Sequence, residues 1–239
     1  AAIKSGIPIE KPAYIVNQVC GSGIRSIASG FQSIRSENSK IIVAGGQENM
    51  SLAPHAIHLR DGKKLGDVEM TDTMIKDGLW DAFHGYHMGV TAENVAKKFS
   101  ISRQDQDEFA LNSQKKTEAA IINNKFEDEL IKMNLNGKIF DKDEHPRLNL
   151  KISNLKKLKA SFQQHGTVTP GNSSGINDGA AALLLTTLDE AKKKSIKPLA
   201  KIVSWASVGI DPALMGLGPI EAVHKAVKKA KWRLEEVDL

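Results

Sequence analysis

Residues 14–46, YIVNQVCGSGIRSIASGFQSIRSENSKIIVAGG, decide the fold that we predict for this chain. Tyr14–Val19 is rich in β-branched residues and follows Pro12, which predicts a buried strand. A Cys-Gly-Ser-Gly turn then leads into a helix, and Lys40–Gly46 predicts a second buried strand. Because strand, turn, helix and strand in this order are typical of a right-handed parallel crossover, we expect an α/β fold.

Further helices are indicated by apolar spacing and by capping residues. Thr91–Ala96 lies in one predicted helix, and Ser102 is the expected N-cap of the next, with Asp105 in its first turn. Thr187 and Glu190 predict a capping box, and Gly218-Pro219 predicts the start of a last helix. The helix after the Cys-Gly-Ser-Gly turn carries an apolar stripe formed by Ile24, Ile27, Phe31 and Ile34.

A long excursion separates the predicted sheet strands. From Glu48 to about Thr169 strand signals are scarce, and sheet character returns at Ala181–Thr186 and again at Ala200–Val208. We therefore expect a segment inserted between strands of the same sheet.

Composition excludes several classes of protein. The chain has 239 residues, 41% of them hydrophobic and 26% charged, which is the balance of a globular protein with a core. No apolar run approaches the ~20 residues that span a bilayer. Aromatic residues make up only 5%, so the net charge of +5 favours an anionic substrate such as a phosphorylated cofactor over nucleic acid.

Cys20 is the only cysteine, which rules out an internal disulfide or a cysteine-cluster metal site and fits a reducing compartment. We therefore expect a cytoplasmic protein. A lone cysteine is either a small buried hydrophobe or a nucleophile. Its position between a predicted strand and a helix N-terminus, beside glycines that allow close approach, favours the nucleophile. The surroundings typical of papain-like proteases or caspases are absent.

Six segments together resemble the thiolase family, in the family's order and across essentially the whole chain. Within that family, the residues around His87 are most similar to the biosynthetic acetyl-CoA acetyltransferases. The segments are NQVCGSGIRS (17–26), GGQENMSLAP (45–54), DTMIKDGL (72–79), GYHMGVTAENVA (85–96), GTVTPGNSSGINDGAAA (166–182) and MGLGP (215–219).

The resemblance implies a thiolase-like layered α/β fold with an inserted loop domain, present here only in part. It divides the chain into an N-terminal thiolase half at 1–48, whose start is missing, and a CoA-binding loop domain at 49–174. The rest of the N-terminal half then lies at 175–196, and a truncated beginning of the C-terminal half at 197–239.

The resemblance also implies a two-step acyl transfer. Cys20 takes an acetyl group from acetyl-CoA, and a second acetyl-CoA attacks it to give acetoacetyl-CoA; thiolysis is the reverse. The thioesters are substrates, so no separate cofactor and no metal are expected. The positions that match the CoA-binding residues of the family are His87, Met88, Arg147, Ser174, Gly175 and Met215. Glu48 and Asp178, in matched segments, are expected to hold backbone turns.

Three segments that carry the rest of the family's chemistry do not occur in these 239 residues. These are a Gly-His-Pro segment, a Cys-x-Gly segment with a second cysteine, and an Asn-Glu-Ala-Phe segment. Without the histidine and the second cysteine, we expect the isolated chain to lack condensing activity. A completed protein is expected to be a homo-oligomer that binds neither nucleic acid nor membranes.

Two alternatives remain open. The chain could be a CoA-binding remnant without turnover, or it could be part of a degradative 3-ketoacyl-CoA thiolase with longer substrates. CoA affinity without acylation of Cys20 would favour the first, and a preference for long acyl chains would favour the second.

Overall fold

A computed structural model describes all 239 residues, which form six α-helices, one π-helix (Met74–Leu79) and eight strands, joined by turns and short 3₁₀ segments. The helices are α1 (Ser22–Arg35), α2 (Met88–Lys98), α3 (Arg103–Ile122), α4 (Ile152–Lys156), α5 (Leu188–Lys193) and α6 (Gly218–Ala230). The strands are β1 (Ile41–Glu48), β2 (His55–Ala56), β3 (Thr71–Asp72), β4 (Trp80–Asp81), β5 (Tyr86–His87), β6 (Met133–Leu135), β7 (Lys138–Phe140) and β8 (Gly179–Thr186).

The chain divides into two compact units. The first unit comprises Ala1–Ser51, Asp178–Ala206 and Lys225–Leu239. The second unit comprises Leu52–Asn177 and Ser207–His224. The domain boundaries that the sequence suggested, at 48/49, 174/175 and 196/197, stay a prediction.

In the first unit, α1 packs against a two-stranded sheet. Strands β1 and β8 pair antiparallel over eight residues, from Ile41 opposite Thr186 to Glu48 opposite Gly179. Gly30 of α1 lies so close to this sheet that a Cβ there would come within 2.8 Å of the Leu185 side chain. A small residue at this point is therefore required for the helix and the sheet to approach each other.

The predicted parallel crossover is wrong, because two of the predicted strands do not form. Residues 14–18 and 200–208 contain no strand, and Ile15 is 96% exposed. A strand needs a hydrogen-bonded neighbour, and neither segment pairs with β1 or β8. The two other predicted strands are confirmed as β1 and β8, but their pairing is antiparallel.

The apolar stripe predicted for α1 is confirmed only in part. Ile27, Phe31 and Ile34 are half-buried, but Ile24 is 73% exposed. The residues of α1 that are fully buried are the small ones, Ala28 and Gly30. The close approach of helix and sheet explains this, because only small side chains fit in the interface.

The second unit is built from α2, α3 and α4 with three short antiparallel strand pairs. The pairs are β2–β3, β4–β5 and β6–β7. Its core contains Leu155 of α4, which is 2% exposed, together with Leu111, Ala96 and Val168. The predicted N-cap of α3 is confirmed, and it forms a capping box, since Ser102 and Asp105 each accept a hydrogen bond from the other's backbone N–H.

The remaining helix predictions are also confirmed, although the capping box predicted for α5 forms only in part. Thr187 caps α5 by accepting a hydrogen bond from the Glu190 N–H at 3.2 Å, but the reciprocal half of the predicted box is not formed. The last helix, α6, begins at Gly218 as expected. None of the helices is long and apolar enough to cross a membrane.

Candidate active site

Cys20 is exposed in a single 3₁₀ turn, Val19–Gly21, that runs directly into α1. The residue before it, Val19, has φ of 48°, in the left-handed region. A β-branched residue rarely adopts this conformation, because its side chain then crowds the backbone. Strained backbone of this kind persists only where surrounding contacts hold it, and it is concentrated at functional sites.

Four hydrogen bonds hold the turn around Cys20, which we call the nucleophile turn (17–22). The Gly21 N–H donates to the Gln18 carbonyl at 3.0 Å, and the Gln18 N–H donates to the Ser22 hydroxyl at 2.8 Å. That hydroxyl in turn donates to the Val19 carbonyl at 2.7 Å. The Val19 N–H is bound by the Asn17 side-chain oxygen at 2.9 Å. Cys20 is therefore fixed at the start of α1.

The start of α1 also lies against the end of β1. The Ser26 hydroxyl is within hydrogen-bonding distance of the Gly45 carbonyl, at 2.8 Å, and a Cβ on Gly46 would lie 3.6 Å from the Gly23 backbone. Two glycines facing each other let helix and strand meet at backbone contact distance.

Asp178, just before β8, holds the backbone that follows β1. Its carboxylate accepts from the Ser51 hydroxyl at 2.6 Å and from the Ser51 N–H at 2.9 Å. These bonds, from the hydroxyl first and then the N–H, lower the pKa of the Asp178 carboxyl below its ordinary value because they favour the charged form. Glu48 likewise accepts from the Asn49 N–H, at 3.2 Å. The predicted turn-holding role of Asp178 is confirmed, whereas that of Glu48, whose bond is to the adjacent N–H, stays a prediction.

In the second unit, His87 and Met88 lie where β5 becomes α2. His87 is the N-cap of α2, and its Nδ1 accepts a hydrogen bond from the Gly89 N–H at 3.0 Å. Its ring stacks on Phe162, with centroids 4.6 Å apart and 18° between the planes. Gly89 lies against the Phe162 ring, so a Cβ at position 89 would overlap it.

Glu93 of α2 anchors the segment that leads to Ser174. Glu93 is 6% exposed. Its carboxylate accepts three hydrogen bonds of 2.8 Å, from the N–H and the hydroxyl of Thr167 and from the N–H of Val168. A buried carboxylate is stable when several donors satisfy its oxygens. The helix that begins with Met88 is thus tied to the chain that precedes Ser174.

The other predicted CoA-binding residues also lie in the second unit. Ser174 and Gly175 are exposed, and the His145 ring packs on the Gly175 backbone, where a Cβ would lie 2.5 Å from Nδ1. Arg147 is exposed, and its backbone N–H donates to the side-chain oxygen of Gln114 on α3 at 2.9 Å. Met215 is half-exposed in the 3₁₀ segment Pro212–Leu217.

That 3₁₀ segment rests on α2. The Asn94 amide donates to the Ala213 carbonyl at 3.1 Å, and a Cβ on Gly216 would lie 3.8 Å from the Val95 side chain. All six predicted CoA-binding residues therefore belong to the second unit, whereas Cys20 belongs to the first.

Sequence reasoning missed three side chains that the structure places beside the predicted ones: Phe162, Glu93 and His145. Phe162 and His145 lie far along the chain from their partners, and no local pattern marks them. Glu93 could have been found, because a charged residue on the buried side of a predicted helix requires a partner.

The family is decided by comparison with known proteins. The family model described as "Thiolase, N-terminal domain" matches residues 1–189, and that described as "Thiolase, C-terminal domain" matches residues 196–239. The chain belongs to the thiolase family. The match confirms the resemblance carried by the six segments.

Relatives of this thiolase chain are named acetyl-CoA acetyltransferase. The protein of Rhizobium meliloti is 53% identical over 243 residues, and that of Shinella zoogloeoides is 51% identical. Each alignment covers 100% of this chain and 62% of the relative. The thiolase chain thus spans about three fifths of the length of the curated relatives it matches.

Solved structures confirm the thiolase fold. A human mitochondrial 3-ketoacyl-CoA thiolase in complex with CoA matches with a TM-score of 0.96 and 40% identity, covering 99% of this chain and 60% of that one. The acetyl-CoA acetyltransferase of Bacillus anthracis matches with a TM-score of 0.94 and 39% identity, covering 100% of this chain and 61% of that one. The expected thiolase-like α/β fold, present in part, is confirmed.

Proposed function

We propose that this thiolase chain carries the acyl-accepting half of an acetyl-CoA acetyltransferase, with an acetyl-Cys20 intermediate. The observation that carries the proposal is the exposed Cys20, held by a strained turn at the start of α1. The names of the relatives support acetyl-CoA as the acyl donor. The full reaction is the formation of acetoacetyl-CoA from two acetyl-CoA, or the reverse thiolysis.

The first step is transfer of the acetyl group to Cys20. The Sγ atom attacks the thioester carbonyl carbon, a new C–S bond forms, and the bond from that carbon to the CoA sulfur breaks. The thiol proton leaves with the CoA thiolate as CoA-SH. The backbone N–H of Cys20 itself is suited to be one donor that stabilises the oxyanion of the tetrahedral intermediate.

The CoA arm is proposed to lie along the second unit. His87 and Met88 would line the pantetheine and acyl end, and Met215 would close the acyl pocket. Ser174 and Gly175 would contact the pantetheine amides, since exposed turn N–H and hydroxyl groups match amide hydrogen bonds. Arg147 would pair with the phosphates, because a guanidinium is matched to phosphate in charge and geometry.

The condensing step needs groups that these 239 residues do not contain. A base must remove a methyl proton from the second acetyl-CoA, and the sequence has neither a second cysteine nor a Gly-His-Pro histidine. We therefore propose that the chain alone stops at the acyl-enzyme. Homo-oligomer formation and a cytoplasmic location stay predictions.

An exchange assay tests the first half-reaction. If Cys20 is reversibly acetylated, the chain transfers label between free CoA and unlabelled acetyl-CoA with no second substrate, as ping-pong catalysis requires. Cys20→Ser is the matched control and should show no exchange. Equal exchange by the Cys20→Ser variant, or none by folded wild type, would overturn the proposal.

A second candidate is a thiolase for longer acyl chains. The observation that favours it is the TM-score of 0.96 with the human 3-ketoacyl-CoA thiolase. The two candidates are separated by acylating Cys20 with octanoyl-CoA and with acetyl-CoA in parallel. Faster acylation by octanoyl-CoA would favour the longer-chain enzyme. CoA binding without acylation by either thioester would indicate a non-catalytic CoA-binding remnant.

A further inference from the structure

A second layer of contacts reaches the nucleophile turn from α1. Arg25, in the first turn of α1, donates from Nε to the side-chain oxygen of Gln18 at 2.8 Å. The Gln18 side chain lies along Gly21, where a Cβ would be 3.6 Å from it. Gln18 thus connects the Arg25 guanidinium to both sides of Cys20.

Arg25 is in turn held by residues near the other end of the chain. Its guanidinium carbon lies 5.4 Å from the centre of the Trp205 ring, and Lys229 Nζ lies at the same distance from that ring. Lys229 also donates to the Trp205 carbonyl at 3.0 Å. All of these residues belong to the first unit.

The backbone beside Trp205 is fixed as well. The Ser204 hydroxyl donates to the Ala226 carbonyl of α6 at 2.6 Å. Trp205 and Lys229 lie in the residues that match the C-terminal thiolase model, whereas Arg25 lies in those that match the N-terminal one. The residues of both matches therefore meet in the contacts behind the nucleophile turn.

We infer that Arg25 is a positioning residue for Cys20, acting through Gln18 and packed against the Trp205 ring, which Lys229 also contacts. The inference rests on the proposed role of Cys20 as the acyl acceptor. Val19 keeps an unfavourable left-handed conformation only while its neighbours prevent relaxation. The Arg25–Gln18 bond fixes the residue just before Val19, so its loss lets the turn relax and moves Sγ.

A displaced Sγ slows the chemical step more than it weakens substrate binding. Misplacement of a reacting atom by about 1 Å costs up to about 100-fold in rate. For loss of one hydrogen bond we expect about a tenfold fall in the acylation rate at saturating acetyl-CoA. The half-saturating concentration should be unchanged, because Arg25 and Gln18 are not among the proposed CoA contacts.

The test measures Cys20 acylation by acetyl-CoA in the full 239-residue chain. Arg25→Ala and Gln18→Leu should each slow the saturating rate about tenfold. The double variant should be no slower than either single variant, because both remove the same bond. Gln18→Glu keeps an acceptor for Arg25 and should retain the rate. Arg35→Ala, at the other end of α1, is the matched control.

Two further measurements distinguish a loss of folding, a failure of the proposed function and a failure of the positioning role. Circular dichroism and urea midpoints show whether each variant is folded; Gln18 is exposed, so its variants do not disturb the core. Iodoacetamide alkylation of Cys20 reports on the turn without any CoA substrate, and its rate should change in Arg25→Ala and Gln18→Leu but not in Arg35→Ala. Wild type that is alkylated but never acylated would overturn the proposed function alone. Rates of Arg25→Ala and Gln18→Leu equal to that of Arg35→Ala would overturn the positioning role.

Discussion

Single residues decide the geometry of the candidate site, and the close packing at Gly89 is an example. Its backbone lies against the ring of Phe162, which also stacks on His87. Any side chain at position 89 must displace that ring. The stack behind the proposed acyl pocket therefore depends on the absence of a Cβ at one position.

We predict that Gly89→Ala destabilises the chain by about 1–3 kcal/mol, because overpacking forces the Phe162 ring out of position. Urea unfolding measures the change. Gly78→Ala is the matched control, since a Cβ there meets no atom within 4 Å. Equal stability of the Gly89→Ala variant and wild type would contradict the packing described for Phe162.

Asp178 provides a pH-dependent prediction at the same scale. Its folded pKa lies below the ordinary 3.8, chiefly because the Ser51 hydroxyl donates to it. A lowered folded pKa means that ionised Asp178 stabilises the fold above pH 3.8, and that this contribution is lost as pH falls through the folded pKa. Ser51→Ala should therefore raise the pKa of Asp178 toward its ordinary value.

Carboxyl NMR titration of Asp178 in wild type and Ser51→Ala measures this change. The variant should also lose stability relative to wild type above pH 3.8, with the difference shrinking as the pH falls below that value. Identical titration curves for Asp178 in the two proteins would show that the Ser51 hydroxyl does not act on it.

At the residue scale, the sequence indicated a candidate nucleophile but not the side chains around the predicted CoA-binding residues. Cys20 could be proposed from its position beside a glycine-flanked helix start, and its catalytic role stays a prediction. Phe162 could not be proposed, because its partner His87 is 75 positions earlier (162 − 87), and no periodic pattern spans that separation. Contacts between distant segments depend on the fold, which local patterns do not encode.

At the scale of elements, α4 is short but central to the second unit. Its Leu155 is almost completely buried, and the side chain packs against Gly171. The Leu155 carbonyl accepts from the Arg103 guanidinium at 2.7 Å, and Arg103 pairs with the buried Asp107 on α3 at 2.8 Å. Packing and polar contacts therefore fix α4 against α3.

We predict that Leu155→Ala lowers the free energy of unfolding by about 2–5 kcal/mol, because it leaves a cavity between α4 and the chain at Gly171. Chemical denaturation measures the loss. Leu148→Ala is the control, since Leu148 is exposed and its truncation should change stability little. A loss for Leu155→Ala no larger than that for Leu148→Ala would contradict the assigned core.

Helices were predicted more reliably than strands, for a physical reason. The hydrogen bonds of a helix and its caps are local, so Ser102 and Asp105 could be identified from their spacing alone. A strand depends on a partner elsewhere in the chain. Tyr14–Val19 and Ala200–Val208 have strand composition but no paired neighbour, and sequence could not show this.

At the scale of the whole molecule, one face of the sheet in the first unit lacks cover. Val43 and Leu184 are cross-strand partners in β1 and β8, and each is about half exposed. Exposed apolar pairs of this kind limit the solubility of a chain. The protein spans 62% of the relative from Rhizobium meliloti, so its fold is that of a thiolase in part.

We predict that the purified 239-residue chain has little or no thiolysis activity on acetoacetyl-CoA. The reason is the missing acid/base chemistry, since no second cysteine and no Gly-His-Pro histidine occur in the sequence. A spectrophotometric assay of acetoacetyl-CoA consumption in the presence of CoA measures it. Robust thiolysis that disappears in Cys20→Ala would show that this chain needs no further catalytic groups.

The measurement that tests the central claim most directly is intact-mass spectrometry of the folded chain after incubation with acetyl-CoA. If Cys20 is the acyl acceptor as proposed, wild type should gain a single acetyl increment and Cys20→Ala should gain none, because Cys20 is the only cysteine. No increment on folded wild type, or an equal increment on Cys20→Ala, would contradict the assignment of Cys20.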